Sequence, residues 1–344
     1  MEEKAAMQGS DSWTSLLKAD PTEWLLEKSN PGVRHLALTS LLDRPESDPE
    51  VTEAGREAMG EGLIPKILAR QRERGNWEKP EDFYMAKYKG TVWQLITLAE
   101  LGADGRDDRI RKACEFILEN SQDAGSGGFS YRTSTRKGGG LPSGVIPCLT
   151  GNMVWSLIRL GFLGDPRLQG GIDWIVQFQR FDDGVARAPK GGPYDRYVQC
   201  WGKHTCHMGV VKALKALEAV PESRRTPEIE RTIAQGAEYL LRHHIHKRSR
   251  DLSSISKPSW LQLTFPWMWQ TDILEILGIL TRLGYRDPRL GEAVDILRSK
   301  QNAEGSWRLE RTFNGRFQTN VERKGEPSKW VTVHALGALR RFFS

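Results

Sequence analysis

The chain has 344 residues, a formal net charge of +6, 38% hydrophobic residues and twelve Trp, a composition that excludes intrinsic disorder. No run of about 18 apolar residues exists to form a transmembrane segment, and the mild basic excess lacks the dense footprint of a nucleic-acid binder while permitting an anionic small-molecule partner. Four Cys are too few at this length for a disulfide framework and point to a reducing, cytoplasmic setting.

The chain opens on an acidic, polar stretch, MEEKAAMQGSDSW, with none of the apolar core of a secretory signal. Residues 12–28 read as a helix. From there two kinds of helix alternate. Stretches at about 31–42, 88–102, 148–161, 204–219, 265–284 and 329–343 are apolar nearly all round, as buried helices are. Between them, 61–74, 107–121, 166–180, 226–245 and 288–301 carry one charged face and are expected to pack outside, with 12–28 as a sixth outer partner. Several inner helices end in Leu-Gly, as in 91-TVWQLITLAELG-102, and Asp165-Pro166-Arg167 and Asp287-Pro288-Arg289 place Pro in the first turn of the next helix. No segment alternates apolar and polar residues long enough to predict a strand.

A loop signal recurs behind the outer helices. Gln71…Gly75-N-Trp77 and Gln301…Gly305-S-Trp307 share Q-x3-G-x-W; Gln122…Phe129 and Gln179…Gly184 are looser copies. The glutamines are 51, 57 and 122 residues apart, the last gap being about two periods. A helical-hairpin array of this period buries its apolar faces by closing on itself. The expected fold is all-α, one (α/α)6 toroid over 1–344, with 1–30 as N-terminal helix and tail and insertions 130–147 and 308–329 over the cavity mouth.

These loops resemble the QW repeats of squalene and terpenoid cyclases, and the hairpin period resembles the β subunit of protein prenyltransferases. The resemblance covers roughly residues 30 to 344. It implies structural roles for Gln71, Trp77, Gln301 and Trp307 and a central cavity ringed by inner-helix N-termini, whose N–H groups and dipoles suit anions. Residues near those starts include His35, Trp93, Gln94, Cys148, Asn152, His204, Gln270, Asp272 and His334.

The segment 200-CWGKHTCHMG-209 holds two of the four Cys and two of the seven His. Its His204-Thr205-Cys206 resembles the His-Thr-Cys of prenyltransferase β subunits, where the His ligates zinc, and Cys148 stands near the place of their Asp-x-Cys cysteine, although Ile146 replaces the Asp. Cys148, His204, Cys200 and His207 are therefore the expected ligands of a zinc ion; the alternative is small buried cysteines and a capping histidine. Asp272, His334 and Cys206 are the candidate catalytic groups, with the D-x-D-D motif of class II cyclases absent. Trp93, Gln94, Asn152, Trp201 and Gln270, together with Arg132 and Arg136 of the first insertion, are the candidate substrate contacts. The histidines of 242-RHHIHKRSR-250 read as solvent-facing on the outer rim. The expected function is a prenyltransferase- or terpene-cyclase-like enzyme acting on a hydrophobic, isoprenoid-like substrate, possibly bearing a diphosphate; the alternative is a non-catalytic lipid- or peptide-binding toroid.

Overall fold

Helix starts are fixed locally by caps. Asn30, Asp48, Asp107, Asp165, Thr226, Asp272 and Ser328 each accept a first-turn backbone N–H on their side chains. Pro31, Pro49, Pro147, Pro166 and Pro227 begin helices, where a missing N–H costs nothing. The computed structural model describes residues 11–184 and 187–344; residues 1–10 of the N-terminal tail and Val185–Ala186, at the end of the third glutamine–glycine loop, lie outside the described residues.

The chain is mostly helical. Among the described residues, twelve helices of six residues or more follow one another: α1 (Pro31–Ser40), α2 (Pro49–Gly60), α3 (Leu63–Leu68), α4 (Thr91–Glu100), α5 (Asp108–Asn120), α6 (Pro147–Arg159), α7 (Pro166–Phe178), α8 (His207–Glu218), α9 (Pro227–Arg242), α10 (Ile273–Arg282), α11 (Gly291–Ser299) and α12 (Lys329–Phe343). Burial follows the hydrophobic pattern: α4 buries every residue, whereas α5 buries a stripe through Ile110, Ala113, Cys114 and Ile117. Helix α4 packs on α6, α6 on α8, α8 on α10, α10 on α12 and α12 on α1. Each of α1, α4, α6, α8 and α10 also packs on the helix that follows it, and α12 packs on the helical turn Asp11–Thr14. Gly151 lets α6 approach α8, because a Cβ there would lie 2.4 Å from the Lys212 carbonyl.

Four expectations are corrected. The stretch read as one helix over 12–28 holds only the helical turns Asp11–Thr14 and Thr22–Leu25. The stretch 265–284 is helical only from Ile273; residues before it form an irregular segment containing Pro266. Helix α8 begins at His207, after a tight turn in which Trp201 and Thr205 bridge. Among the described residues two short antiparallel strand pairs exist, β1 (Lys247–Arg248) with β2 (Asp251–Ile255) and β3 (Trp307–Arg308) with β4 (Pro327–Ser328), too short for alternation to reveal.

Three of the four glutamine–glycine loops share one hydrogen-bonding scheme; in the other, Gln179 Nε2 donates to the Arg180 carbonyl. Gln71 Nε2 donates to its own Gly75 carbonyl (3.0 Å) and to Arg109 of the next outer helix (2.7 Å). Gln122 does the same to Gly127 and Arg167, and Gln301 to Gly305 and Ala19. Gly75 has φ +86°, and a Cβ there would meet the Lys112 carbonyl at 2.5 Å, so only glycine fits. The aromatic residue's backbone N–H then donates to a threonine in the first turn of the next inner helix: Trp77 to Thr91 (3.1 Å), Phe129 to Thr150 (3.0 Å) and Trp307 to Thr332 (2.9 Å). The loops thus tie one hairpin to the next through backbone groups that are otherwise orphaned.

Thr91→Val keeps the shape and removes the acceptor for the buried Trp77 N–H, so urea unfolding is expected to show a loss of about 1–3 kcal/mol, with Thr91→Ser near wild type. Equal stability of the two variants would contradict this role.

Candidate functional site

Glu100, Lys212, Lys215 and Glu275 are charged side chains set into the apolar helices α4, α8 and α10. Lys212 and Lys215 lie three residues apart on α8 and so share a face. Lys212 Nζ reaches both oxygens of Glu275 on α10, at 2.6 and 2.7 Å, and donates to the Gln270 carbonyl at 3.0 Å. Lys215 Nζ bonds Glu275 at 3.0 Å and also pairs with Glu100 at the end of α4. All four residues are buried. Burial works against the Lys215 ammonium, but Glu100 and Glu275 together outweigh it and raise its pKa. Burial would likewise raise Glu275, yet the two ammoniums hold it below the ordinary carboxyl range. Glu100 meets Lys215 alone among the close ammoniums, and burial prevails there, raising its pKa.

Beside this network lies a cavity of about 580 Å3. The Trp155, Trp267 and Trp330 side chains form apolar wall, and Lys215, Glu100 and Glu275 face into it. Lys215 Nζ sits 3.9 Å from the Trp155 ring centroid and 5.5 Å from that of Trp267. Arg159, Arg282 and Arg341 also line it, with Glu218 pairing Arg282 at 2.9 Å. Burial, then repulsion from Arg282, pushes the Arg341 pKa down to about 10.

The lining comes from the last turns of α4, α6 and α8 and from most of α1, α10 and α12. The N-terminal ends of α4 and α6, among the helix starts expected to ring the cavity mouth, are instead filled. Phe313 of the second insertion stacks on Tyr88 (4.1 Å between centroids), and Trp269 Nε1 donates to the Tyr88 hydroxyl. Asn152 Nδ2 donates to the Met268 carbonyl at 3.2 Å and Gln94 Nε2 to the Tyr88 carbonyl at 2.9 Å. Trp93 Nε1 donates to the Tyr84 carbonyl. The candidate contacts Trp93, Gln94, Asn152 and Gln270 therefore belong to this plug, and none of them lines the cavity. Trp201 packs between Trp174 and Tyr194, while Arg132 and Arg136 are exposed, Arg132 lying over the Tyr131 ring.

Of the candidate catalytic groups, His334 lines the cavity, edge-on to Trp267 at 4.7 Å. Burial, reinforced by Arg282, Lys215, Arg341 and Arg159, holds its pKa well below the usual value, so it is neutral. Asp272 is buried as the cap of α10. Its carboxylate accepts from Glu275 N (2.9 Å), Thr264 N (2.7 Å) and Trp267 Nε1 (3.1 Å). Burial pushes its pKa up to about 7 against those bonds. With both oxygens so engaged, Asp272 positions Trp267 and does not itself face the cavity.

The Cys/His segment divides. His204 precedes α8, is half exposed, and pairs through Nδ1 with Asp183 at 3.2 Å. His207 stacks on Trp260 at 4.3 Å, and burial pushes its pKa down to about 3. Cys206 caps α8, with Cys200 and Cys148 close to it. The Cys200 thiol and the N–H groups of Gly209 and Met208 outweigh burial and lower the Cys206 pKa to about 6, while burial pushes Cys148 up to about 12. The expected zinc ligands Cys148, His204, Cys200 and His207 do not converge: among the described residues no group of three His, Cys, Asp or Glu is placed to hold a metal ion. His204, ahead of α8 in the turn bridged by Trp201 and Thr205, pairs with Asp183. The rim histidines also differ from expectation: His243 and His246 are buried, and His243 lies 3.4 Å from Asp183.

The cavity groups missed in the sequence are Glu100, Lys215, Glu275, Arg159, Arg282 and Arg341. For the first three the signal was present, a charge inside a helix otherwise apolar all round.

No family model matches the sequence, and no curated protein matches it. Among solved structures, a protein from Actinoplanes is similar at 16% identity and TM-score 0.30, over 85% of this chain and 99% of that one. Two forms of a type II terpene cyclase from Scytonema are similar at 12% and 14% identity and TM-score 0.30, over 84% of this chain and 96% of theirs; the second is a complex with merosterolic acid A as product. Likeness at this level decides nothing about the present chain. No helix among the described residues is long and apolar enough to cross a membrane.

His207 and His334 bind no proton in the fold where the unfolded chain does, so below a pH of about 6.5 stability falls as pH falls. The limiting slope is about 1.4 kcal/mol per pH unit for each histidine. Urea midpoints between pH 7.5 and 5 are expected to decline, and His207→Asn is expected to flatten the decline; an unchanged slope in that variant would contradict the assignment.

Proposed function

We propose that the helices close as an (α/α)6 toroid and that the protein is an enzyme acting on an apolar, isoprenoid-like molecule held in its lumen. The succession of inner-helix contacts from α4 round to α1 supports closure, as does Gly32 of α1. A Cβ there would lie 3.1 Å from Trp330 and 3.5 Å from the Leu101 carbonyl, next to the end of α4.

The single observation carrying the functional reading is a cavity that joins three tryptophans to buried, titratable groups. The indoles offer π faces to an apolar body and to positive charge developing on it. Arg159, Arg282 and Arg341 form the basic part of the lining and suit an anionic head group. Among the lining groups, Glu100 is the one assigned to donate a proton and His334 the one assigned to accept it. The cysteines and Asp272 lie outside this lining.

Tryptophan fluorescence titrated with farnesyl diphosphate and with farnesol is expected to quench saturably. Trp155→Ala should weaken binding at least about tenfold, and Arg159→Glu should weaken the diphosphate selectively. Glu100→Gln should abolish product formation while leaving binding measurable. No saturable quenching by either compound would overturn the substrate class, and turnover by Glu100→Gln would remove the proposed acid.

A further inference from the structure

The plug at the starts of α4 and α6 reaches solvent through a run of touching rings. Tyr197 packs on Tyr131 (5.9 Å between centroids), Tyr131 on Tyr84 (5.8 Å), and Tyr84 and Tyr88 each on Trp93 (5.1 Å), with Phe313 stacked on Tyr88. Four cations lie over this run. Lys87 Nζ is 4.8 Å from the Tyr84 ring, and the guanidiniums of Arg132, Arg311 and Arg316 are 5.1, 5.7 and 5.0 Å from Tyr131, Phe313 and Tyr88. Among the described residues none of these four side chains has a hydrogen bond or an ion pair, and Arg132 and Arg316 are exposed. Arg180, Lys215, Arg298 and Lys329 also lie over rings, but each is paired with a carboxylate. The same run carries the two most exposed large apolar side chains among the described residues, Met85 (56%) after Tyr84 and Val198 (67%) after Tyr197.

Unpaired cations, rings with a polar end and protruding aliphatic groups are the composition of a surface that rests in a lipid head-group layer. Cations there meet phosphates, tyrosine hydroxyls stay at the polar level, and aliphatic side chains reach the acyl boundary. A single-stranded nucleic acid also suits cations and rings, but it needs free ring faces on which its bases stack. Here those faces are taken: Tyr88 and Phe313 cover each other, and Tyr84 and Tyr88 are buried. We propose that this end of the protein is a docking surface for anionic phospholipid membranes, held by Lys87, Arg132, Arg311 and Arg316 with Met85 and Val198 as shallow anchors. Two short anchors give only marginal binding by themselves, so attachment is reversible and depends on its electrostatic part. The surface is separate from the cavity, whose lining contains none of these residues.

The test is flotation of the full-length protein with vesicles of phosphatidylcholine, alone or with about 30% phosphatidylglycerol. Wild-type protein is expected to bind the anionic vesicles at least about tenfold more tightly than the neutral ones, and to be released as salt rises from about 0.1 M to about 0.5 M. Reversing two exposed cations, Arg132→Glu with Arg316→Glu, should weaken binding to anionic vesicles at least about tenfold, and Met85→Ser with Val198→Ser at least about threefold. The same charge change at two exposed arginines elsewhere, Arg224→Glu beyond the end of α8 with Arg231→Glu on α9, should leave binding unchanged. No flotation, equal flotation with neutral vesicles, or an equal loss in the Arg224/Arg231 pair would overturn the proposal. So would tighter binding of polyuridylate than of anionic vesicles, which would assign the surface to nucleic acid. The wild-type arms need no variant to fold, and the vesicles contain no isoprenoid, so failure here is distinct from failure of the substrate proposal.

Discussion

Two ammoniums and two carboxylates buried among apolar helices are the constraint from which the interior of this protein follows. None of the four can be left alone, since an unpaired charge in such surroundings costs several kcal/mol and shifts its pKa until it neutralises. Pairing therefore fixes which faces of α4, α8 and α10 meet: Glu100 ends α4, Lys212 and Lys215 share one face of α8, and Glu275 begins α10. Apolar residues of equal volume would hold these helices together about as well. What the charges add is register, and a polar centre beside an otherwise apolar cavity.

The cavity inherits its character from that centre. Lys215 is stationed against Trp155 by the two carboxylates, and Asp272, one turn before Glu275, holds Trp267 by its indole N–H. The same α10 start thus positions an acidic ligand of the network and an aromatic wall. Lys212, by donating to the Gln270 carbonyl, fastens the irregular segment that plugs the starts of α4 and α6. At the periphery the glutamine–glycine loops perform the complementary task, closing backbone hydrogen bonds between hairpins without contributing to the cavity.

Much of the helical pattern was legible in the sequence because it rests on local physics. Apolar periodicity and caps such as Asp107 and Thr226 mark where helices run. Helix starts failed where local signals were ambiguous: Trp267, Met268 and Trp269 are apolar enough to read as helix, yet Met268 and Trp269 pack into the plug, Trp267 lines the cavity, and the helix waits for the cap at Asp272. The candidate site was less legible. His334, whose position on α12 is set by helix geometry, lies on the cavity lining. His204 and Cys148 are grouped by resemblance, whereas the fold pairs His204 with Asp183, and nothing in spacing announces that pairing. The threonines Thr91, Thr150 and Thr332 went unread because their partners are backbone N–H groups brought close only by folding. The buried charges were visible as Glu100, Lys212, Lys215 and Glu275 in apolar runs; which of them pair is a tertiary fact.

The measurement that tests the network most directly is a double-mutant cycle on Lys215→Met and Glu100→Gln, read by urea unfolding. Each single change leaves a buried partner uncompensated and is expected to cost about 3–5 kcal/mol. The double change leaves the Lys212–Glu275 pair complete, so its cost should fall short of the sum by at least about 2 kcal/mol. Costs that add to within about 0.5 kcal/mol would contradict a coupled network at the centre of the fold.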